Sequence, residues 1–522
     1  MPDNLPNAYD LMPYESLPFP QSQPDRLAAV AALFGLEPTP VERGRILEIG
    51  CASGGNLLPL AARYPHAEWV GVDLSAVQIA AGRELAAAAG LANVQLVEGS
   101  FTTLPDDLGS FDYVIAHGIF SWIDDTLQQA MLRFCAERLA PQGVAYISYN
   151  TYPGWRMRGI VRDMMRYHLS SFDNPSPALA VQQARAMLQF AAGHIPDPDS
   201  PYARHLQAEM STLAAQPDYY LFHDHLEAEN RPLYFHEFMA QAAGVSLQYL
   251  GETELSTMFA SNFPAEVAET VLRIAPDIVR AEQYMDFLRN RMFRQTLLCH
   301  GGYPLRRALT PDLLQRFHLA SPFRPDSATP DLFGSSVEGF HTPTGATLSS
   351  EVPVVKAALV ALAAHWPLPI TYPSLLADTA ARLLRPLGGT EEATLAEILL
   401  RTLVAGVLEI WTTPPTFTLQ PGKLPMVAFL ARKMARRGAR VTNERHETVL
   451  LDPVGCELLP LLDGTHGRED LLGVLRHDFR SGRLVLQQEG APVQEEAVWE
   501  AQLAPTLDAA LDKLARSALL IA

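Results

Sequence analysis

Residues 46–61, ILEIGCASGGNLLPLA, run from an apolar strand through a glycine turn into a helix. Ile46, Leu47 and Ile49 mark the strand, Gly50 to Gly55 the turn, and Leu57, Leu58, Leu60 and Ala61 recur at helical spacing. This order constrains the chain most, because it is the opening unit of a doubly wound α/β fold. The rest of the N-terminal third repeats the theme. Apolar strand candidates at 45–50, 68–73, 94–98, 111–117 and 143–149 alternate with helical stretches at 55–64, 75–90 and 125–140. The alternation predicts a mostly parallel sheet covered on both faces.

Ligands of such folds sit beyond the carboxyl ends of the strands, where amides at a helix start are donors. Two cofactors suit the turn. Gly50-x-Ala52-x-x-Gly55 fits a degraded dinucleotide fingerprint, and Glu48-x-Gly50-x-Ala52-x-Gly54 fits the turn of an S-adenosylmethionine (SAM) site. The second strand ends in Asp73, an acid placed to accept both ribose hydroxyls, which suits NAD and SAM equally. The chain then reads GSFDYVIAH (109–117), a helix ending RLAPQG (138–143), and the strand VAYISY (144–149). This succession resembles the class I SAM-dependent methyltransferases. Ala52 stands where their turn has its middle glycine. SAM is therefore the expected cofactor and S-adenosyl-L-homocysteine its product.

The resemblance extends through SLPFPQSQPDRLA (16–28), HGIFSWI (117–123) and SYNTYPGW (148–155). These are similar to bacterial methyltransferases carrying a methyltransferase regulatory domain, a group that includes the rickettsial-type protein-lysine methyltransferases acting on outer-membrane protein. YYLFHDHLEAENRPLYFHEF (219–238) resembles the regulatory segment. RVTNERHETVLLDP (440–453) and LLPLLDGTHGREDLL (458–472) resemble the C-terminal winged helix of that group.

The fold implied is a Rossmann-like class I methyltransferase sheet with a helical insert, followed by an α+β C-terminal half with a winged-helix-like module. We expect an N-terminal arm (1–40), a SAM-binding core (41–155), a helical insert (156–232), a regulatory segment completing the sheet through strands near 247–252 and 293–300 (233–305), a mainly helical middle domain (306–425) and a winged-helix-like C-terminal domain (426–522). At 522 residues about three domains is the prior.

The expected cofactor-binding residues are Glu48, Gly50, Cys51, Ala52, Gly54, Asn56, Asp73, Leu74, Gln78, Ser100, Phe101 and His117, with Gln21 reaching in from the arm. Ser100 and Phe101 are placed for adenine. His117 lies just past the fourth strand, as a base or an orienting hydrogen-bond group. Trp122 is expected in the pocket and Phe120 in the core. Pro153-Gly154 forces a turn after the fifth strand, which presents Tyr149, Asn150 and Tyr152 to the acceptor.

The leading function is in-line methyl transfer to lysine side chains of a protein. The alternatives are a small-molecule or natural-product methyltransferase and a non-catalytic SAM-binding regulatory protein; an NAD oxidoreductase ranks last. Expected partners are a protein substrate, such as a surface or outer-membrane protein before export, and a second copy in a homodimer. A net charge of −18 argues against nucleic acid, and no apolar run reaches the ~20 residues that span a bilayer. The N-terminus reads as neither signal nor transit peptide. Cys51, Cys135, Cys299 and Cys456 form no CxxC, consistent with reduced thiols in cytoplasm and no zinc site. His223 and His225 are two residues apart and do not share a helix face, so no metal is expected. The basic run ARKMARRGAR (431–440) reads as a solvated face or subunit contact.

Overall fold

The computed structural model describes residues 8–485, 487–488, 491–492 and 496–522. These form two compact units. The first contains the described residues up to Ser16, with Val30–Leu57 and Tyr64–Arg306; the second contains Leu17–Ala29, Leu58–Arg63 and Arg307–Ala522.

The first unit is built on seven strands: β1 (Arg45–Ile49), β2 (Glu68–Asp73), β3 (Val94–Glu98), β4 (Phe111–Ala116), β5 (Leu139–Asn150), β6 (Leu247–Glu252) and β7 (Phe293–His300). They lie in the order β3-β2-β1-β4-β5-β7-β6. Neighbours among β1 to β5 pair in parallel, and β7 runs antiparallel between β5 and β6. This is the expected Rossmann-like methyltransferase sheet. Ile46, Leu47, Val114, Ile115, Ala145 and Ile147 are all fully buried. The central strands read as continuous apolar runs because helices cover both faces. The fifth strand starts earlier than expected, at Leu139. Its register slips between Phe111–Leu139 and Tyr113–Val144, so a bulge absorbs Pro141 and Gly143.

In chain order the helices of this part of the sequence are α1 (Ala8–Leu11), α2 (Pro24–Leu33), α3 (Leu57–Arg63), α4 (Ala76–Ala88), α5 (Asp125–Arg138), α6 (Gly154–Leu169), α7 (Pro177–Gly193), α8 (Pro201–Ala214), α9 (Asp218–Leu221), α10 (Phe235–Gly244), α11 (Ala265–Ile274) and α12 (Ile278–Arg289). Side chains of Ser75, Asp124, Ser176 and Ser200 accept from the third residue of α4, α5, α7 and α8. Each removes one orphan donor from a helix start. The insert α6–α8 closes around Val161, Met165, Val181, Ala184, Leu188 and Leu206. A π-helical turn, Phe222–Leu226, follows α9.

The regulatory segment joins the sheet through charge. Arg294 on β7 is fully buried and bonds Glu252 (2.8 Å), Glu282 (2.9 Å) and Asp286 (2.8 Å), with Phe235 3.7 Å beneath its guanidinium. Carboxylates from β6 and α12 thereby converge on Arg294, and Arg291 adds a second cation 2.9 Å from Glu252 and 3.8 Å from Asp286.

The second unit holds two small antiparallel sheets, one centred on His318–Ala320 and the other on Glu338–His341, with helices Pro353–His365, Tyr372–Arg382 and Gly389–Val404. Beyond them come helix Phe429–Ala435, hairpin Arg440–Thr442/Thr448–Leu450, and helices Pro453–Leu458, Arg468–Ser481 and Glu496–Arg516. Val441, Leu458, Leu471, Leu475 and Leu507 form their common core. In the basic run, Arg432 and Lys433 lie over the Phe429 ring at 5.8 and 5.2 Å. Among the described residues no helix is long and apolar enough to cross a membrane.

Candidate active site

Strand order reverses between β1 and β4, and the loops leaving their carboxyl ends open a crevice there, where doubly wound folds bind ligands. The β1 loop turns through Gly50 (φ +75°), Ala52 (φ +48°) and Gly54 (φ +80°). Ala52 adopts the left-handed conformation despite its methyl, at a cost of about 1–2 kcal/mol. The turn folds its amides inward. Gly50 and Cys51 donate to Val72 O (2.7 and 3.2 Å), Ala52 to Asp73 Oδ2 (2.8 Å), Gly54 to Cys51 O (2.8 Å) and Gly55 to Ser16 Oγ (2.7 Å). The expectation of free amide donors is thus corrected for these residues: their N–H groups are already spent.

Glu48 ends inside the loop. Its Oε1 accepts from Asn56 Nδ2 at 2.9 Å, while Oε2 is buried with no partner among the described residues. Burial pushes the carboxyl up to about 8, against the Asn56 hydrogen bond. Alone, the carboxyl is therefore mostly protonated at pH 7; a cation seated on the orphaned oxygen favours its ionised form, and the α-ammonium of SAM would supply one. Asp73 receives Ala52 N on Oδ2 and Ser75 N on Oδ1 (2.8 Å each), and burial also raises its carboxyl. Beside it Leu74 is 65% exposed, an apolar surface open to a base. These residues fit SAM. Cys51 is buried, its sulfur tight against Gly71, where an added Cβ would sit 2.7 Å away.

Across the crevice, His117 leaves β4 with Nδ1 2.7 Å from Tyr146 Oη. Burial pushes the imidazole down to about 3, so it is neutral at pH 7. Side chains alternate along β5. Ser148 Oγ accepts from Gly118 N at 2.8 Å, and Asn150 Nδ2 donates to Asn230 at 3.1 Å. Tyr149 has the opposite parity. It is buried, stacks on Phe238 at 4.2 Å and shares a hydrogen bond with Thr296, so it belongs to the core and is not an acceptor contact. Tyr152 lies 5.2 Å from the Tyr234 ring, with Arg156 4.2 Å above it. Phe120 is fully buried and Trp122 half-exposed.

Comparison with known proteins agrees with this geometry. Residues 46–143 match the model of a methyltransferase domain, 217–300 that of a predicted methyltransferase regulatory domain, and 424–519 that of the PKMT C-terminal winged helix domain. The uncharacterized protein RP789 of Rickettsia prowazekii is 34% identical over 99% of this chain and 94% of that protein. The structure of PKMT2 from Rickettsia typhi superposes with a TM-score of 0.89 at 30% identity, covering 98% of this chain and all of that one. PKMT2 in complex with AdoHcy superposes equally, at 31% identity. The chain belongs to this family of SAM-dependent methyltransferases.

In the methyltransferase, the N-terminal arm, from which Gln21 alone was expected to reach in, crosses the site. Asp10 bonds Ser75, Gln78 Nε2 donates to Tyr14 O at 3.0 Å, and Ser16 O occupies the space a Cβ on Gly55 would need. On its other side Tyr9 stacks on His223 at 4.3 Å, and Tyr219 Oη donates to Glu15 at 2.8 Å. Gln78 is therefore engaged with the arm. Ser100 caps the turn Phe101–Thr103, and Phe101 packs on Phe134 at 5.9 Å. Gln21 lies in the turn Pro20–Ser22 of the second unit. Tyr146, Ile119 and Asn230 were missed. Ile119 packs against Gly50 so closely that an added Cβ would lie 2.2 Å from it. The β5 alternation was the available signal for Tyr146. Among the described residues no three His, Cys, Asp or Glu side chains converge to hold a metal.

Proposed function

We propose that this methyltransferase moves the methyl group of SAM onto lysine side chains of a protein. The observation that carries the reading is the full-length likeness to PKMT2, which includes the winged helix as well as the catalytic core. Bound in the crevice, SAM supplies an electrophilic methyl group on a sulfonium. Asp73 accepts from the ribose hydroxyls, Glu48 Oε2 pairs with the α-ammonium, and Leu74 lies along the base. Ser100 and Phe101 border the adenine end. His117, fixed through Tyr146, turns a neutral imidazole toward the crevice, and Asn150, Tyr152 and Trp122 line the acceptor side. Positioning of donor and acceptor supplies much of the rate in such a displacement. The substrate is expected to be met in the cytoplasm, by a homodimer.

The test uses purified protein, methyl-labelled SAM and a bacterial lysate separated into protein and small-molecule fractions, with Asp73→Ala as control. Acid-stable label in protein, absent from the control, is expected. Label in the small-molecule fraction alone overturns the lysine reading in favour of a metabolite acceptor. SAM binding without label in either fraction leaves a regulatory protein.

A further inference from the structure

The HDHLE stretch takes no part in the roles above. Its π turn, Phe222–Leu226, is a wide and uncommon helical geometry that recurs at functional sites. Arg162 and Arg166 hold the carbonyls of Glu227 and Ala228 that end it. The turn sends its two histidines to opposite sides. His223 Nε2 meets Met12 O at 2.7 Å under the arm. His225 faces Trp155 (6.5 Å) and Tyr220 (5.9 Å). Asp224 lies between them.

The surroundings are polar, buried and incompletely paired. His225 is fully buried, and neither ring nitrogen has a partner among the described residues. The same holds for Trp155 Nε1 and His223 Nδ1. Buried polar groups are normally hydrogen-bonded, so the His225 ring and Trp155 Nε1 on one side of the turn, and His223 Nδ1 on the other, leave polar atoms open to a guest beside Asp224. Asp224 makes no hydrogen bond with any described residue. Arg158 is the cation acting on it, and that guanidinium is drawn to Glu209 (3.7 Å) and to Tyr220 Oη (3.3 Å). The remaining titratable neighbours are Tyr9 and Tyr14 on the arm; Tyr9 feels the charges of both Asp224 and Asp73. Aromatic faces complete the cluster, with Tyr14 edge-on to Tyr219 at 5.0 Å. A carboxylate among aromatic rings is a site for an organic cation.

We propose that Asp224, beside Tyr9, Tyr14 and Tyr220, receives the ε-ammonium of the acceptor lysine and removes its proton. This rests on the protein-lysine reading above. An ammonium has no lone pair to attack with. Transfer of one proton breaks an N–H bond, forms an O–H bond on Asp224 and leaves the pair on nitrogen. That pair then forms the N–CH3 bond as the C–S bond breaks, its electrons going to sulfur. Asp224 afterwards returns the proton to water. Burial holds its carboxyl up at about 7, so it can accept and release a proton near neutrality. His225, kept neutral because burial lowers it to about 3, offers the same cation a ring nitrogen.

The test compares full-length wild type, Asp224→Asn and Asp224→Glu, using methyl-labelled SAM and the protein fraction of a bacterial lysate, from pH 6 to 10. We expect Asp224→Asn to bind SAM within about twofold of wild type. Its labelling at pH 7 should fall about a hundredfold or more and recover as pH nears the ~10.4 of free lysine. Asp224→Glu should restore part of the rate. Labelling by Asp224→Asn at wild-type rate with an unchanged pH profile overturns the proposal alone. Label confined to small molecules with wild type overturns the lysine reading and this proposal with it. The wild-type profile tests the point without any variant. It should level off above about pH 7, and a tenfold rise per pH unit continuing through pH 9 overturns Asp224 as the base.

Discussion

The cofactor side of the site depends on two carboxylates with different tasks. Asp73 is held open by two backbone donors, and Glu48 keeps one oxygen unpaired inside the loop. Replacing Asp73 by Asn keeps the shape and removes the charge. Hydrogen bonds to charged groups contribute about 1.5–3 kcal/mol, so SAM affinity should drop about ten- to a hundredfold, as read by titration calorimetry. An unchanged affinity would remove Asp73 from the ribose. His225 carries a stability prediction of definite sign. Burial lowers its imidazole from 6.5 to about 3. Between those values the unfolded chain binds the proton and the folded chain does not. Stability therefore falls as pH falls through that window, by about 1.4 kcal/mol per unit from this residue. His225→Phe removes that contribution. Urea unfolding from pH 6 to 4 should show wild type losing stability faster than the variant, and equal slopes would place a proton on His225 in the folded protein.

At the scale of elements, the arm and the regulatory segment are joined to the sheet by contacts far apart in sequence. Gly55→Ala tests the arm through a single methyl. A Cβ there would lie 2.0 Å from Ser16 O, a backbone atom that cannot move without the arm. The variant should weaken SAM binding and speed chymotrypsin cleavage between Tyr9 and Tyr14, with the melting temperature of the sheet little changed. The regulatory segment depends on Arg294. Arg294→Met leaves Glu282 buried without its cation, and Glu252 and Asp286 with Arg291 alone. Breaking a buried ion pair costs about 3–5 kcal/mol, so urea unfolding should move sharply to lower concentration. A loss under ~1 kcal/mol would mean that the cluster adjusts by protonation.

At the scale of the molecule, the second unit is assembled from separated segments. Arg26 lies over Trp411 at 5.3 Å and 3.7 Å from Glu409, and Arg63 donates to Glu444 O at 3.0 Å. All of these belong to that unit. A fragment of residues 307–522 therefore lacks Leu27, Ala28 and Ala29, which are buried in the full chain. Losing the buried Leu27 alone costs about 1.5–3 kcal/mol. The fragment should melt well below the full chain or aggregate, as scanning calorimetry and gel filtration will show.

What the sequence determined by itself was local or periodic. The central strands could be read because a strand buried on both faces must be a short apolar run, and edge strand β3 because Val94, Leu96 and Val97 keep it apolar between turns. The ligand turn could be read because left-handed backbone favours Gly50 and Gly54, and Asp73 because it ends a strand beside that turn. Parity along β5 was also present in the sequence, but which parity faced the crevice was not. Tyr149 and Asn150 look equally suitable until Phe238 and Asn230 arrive from 80 or more residues away. Tertiary structure alone decided that the loop amides turn inward to β2 and the arm, and that Arg294 gathers three carboxylates. It also brought Asp224 near Tyr9 and Tyr14 without a hydrogen bond. The reason is physical: a buried polar group takes its partner wherever the folded chain supplies one, and that choice leaves no period in the sequence.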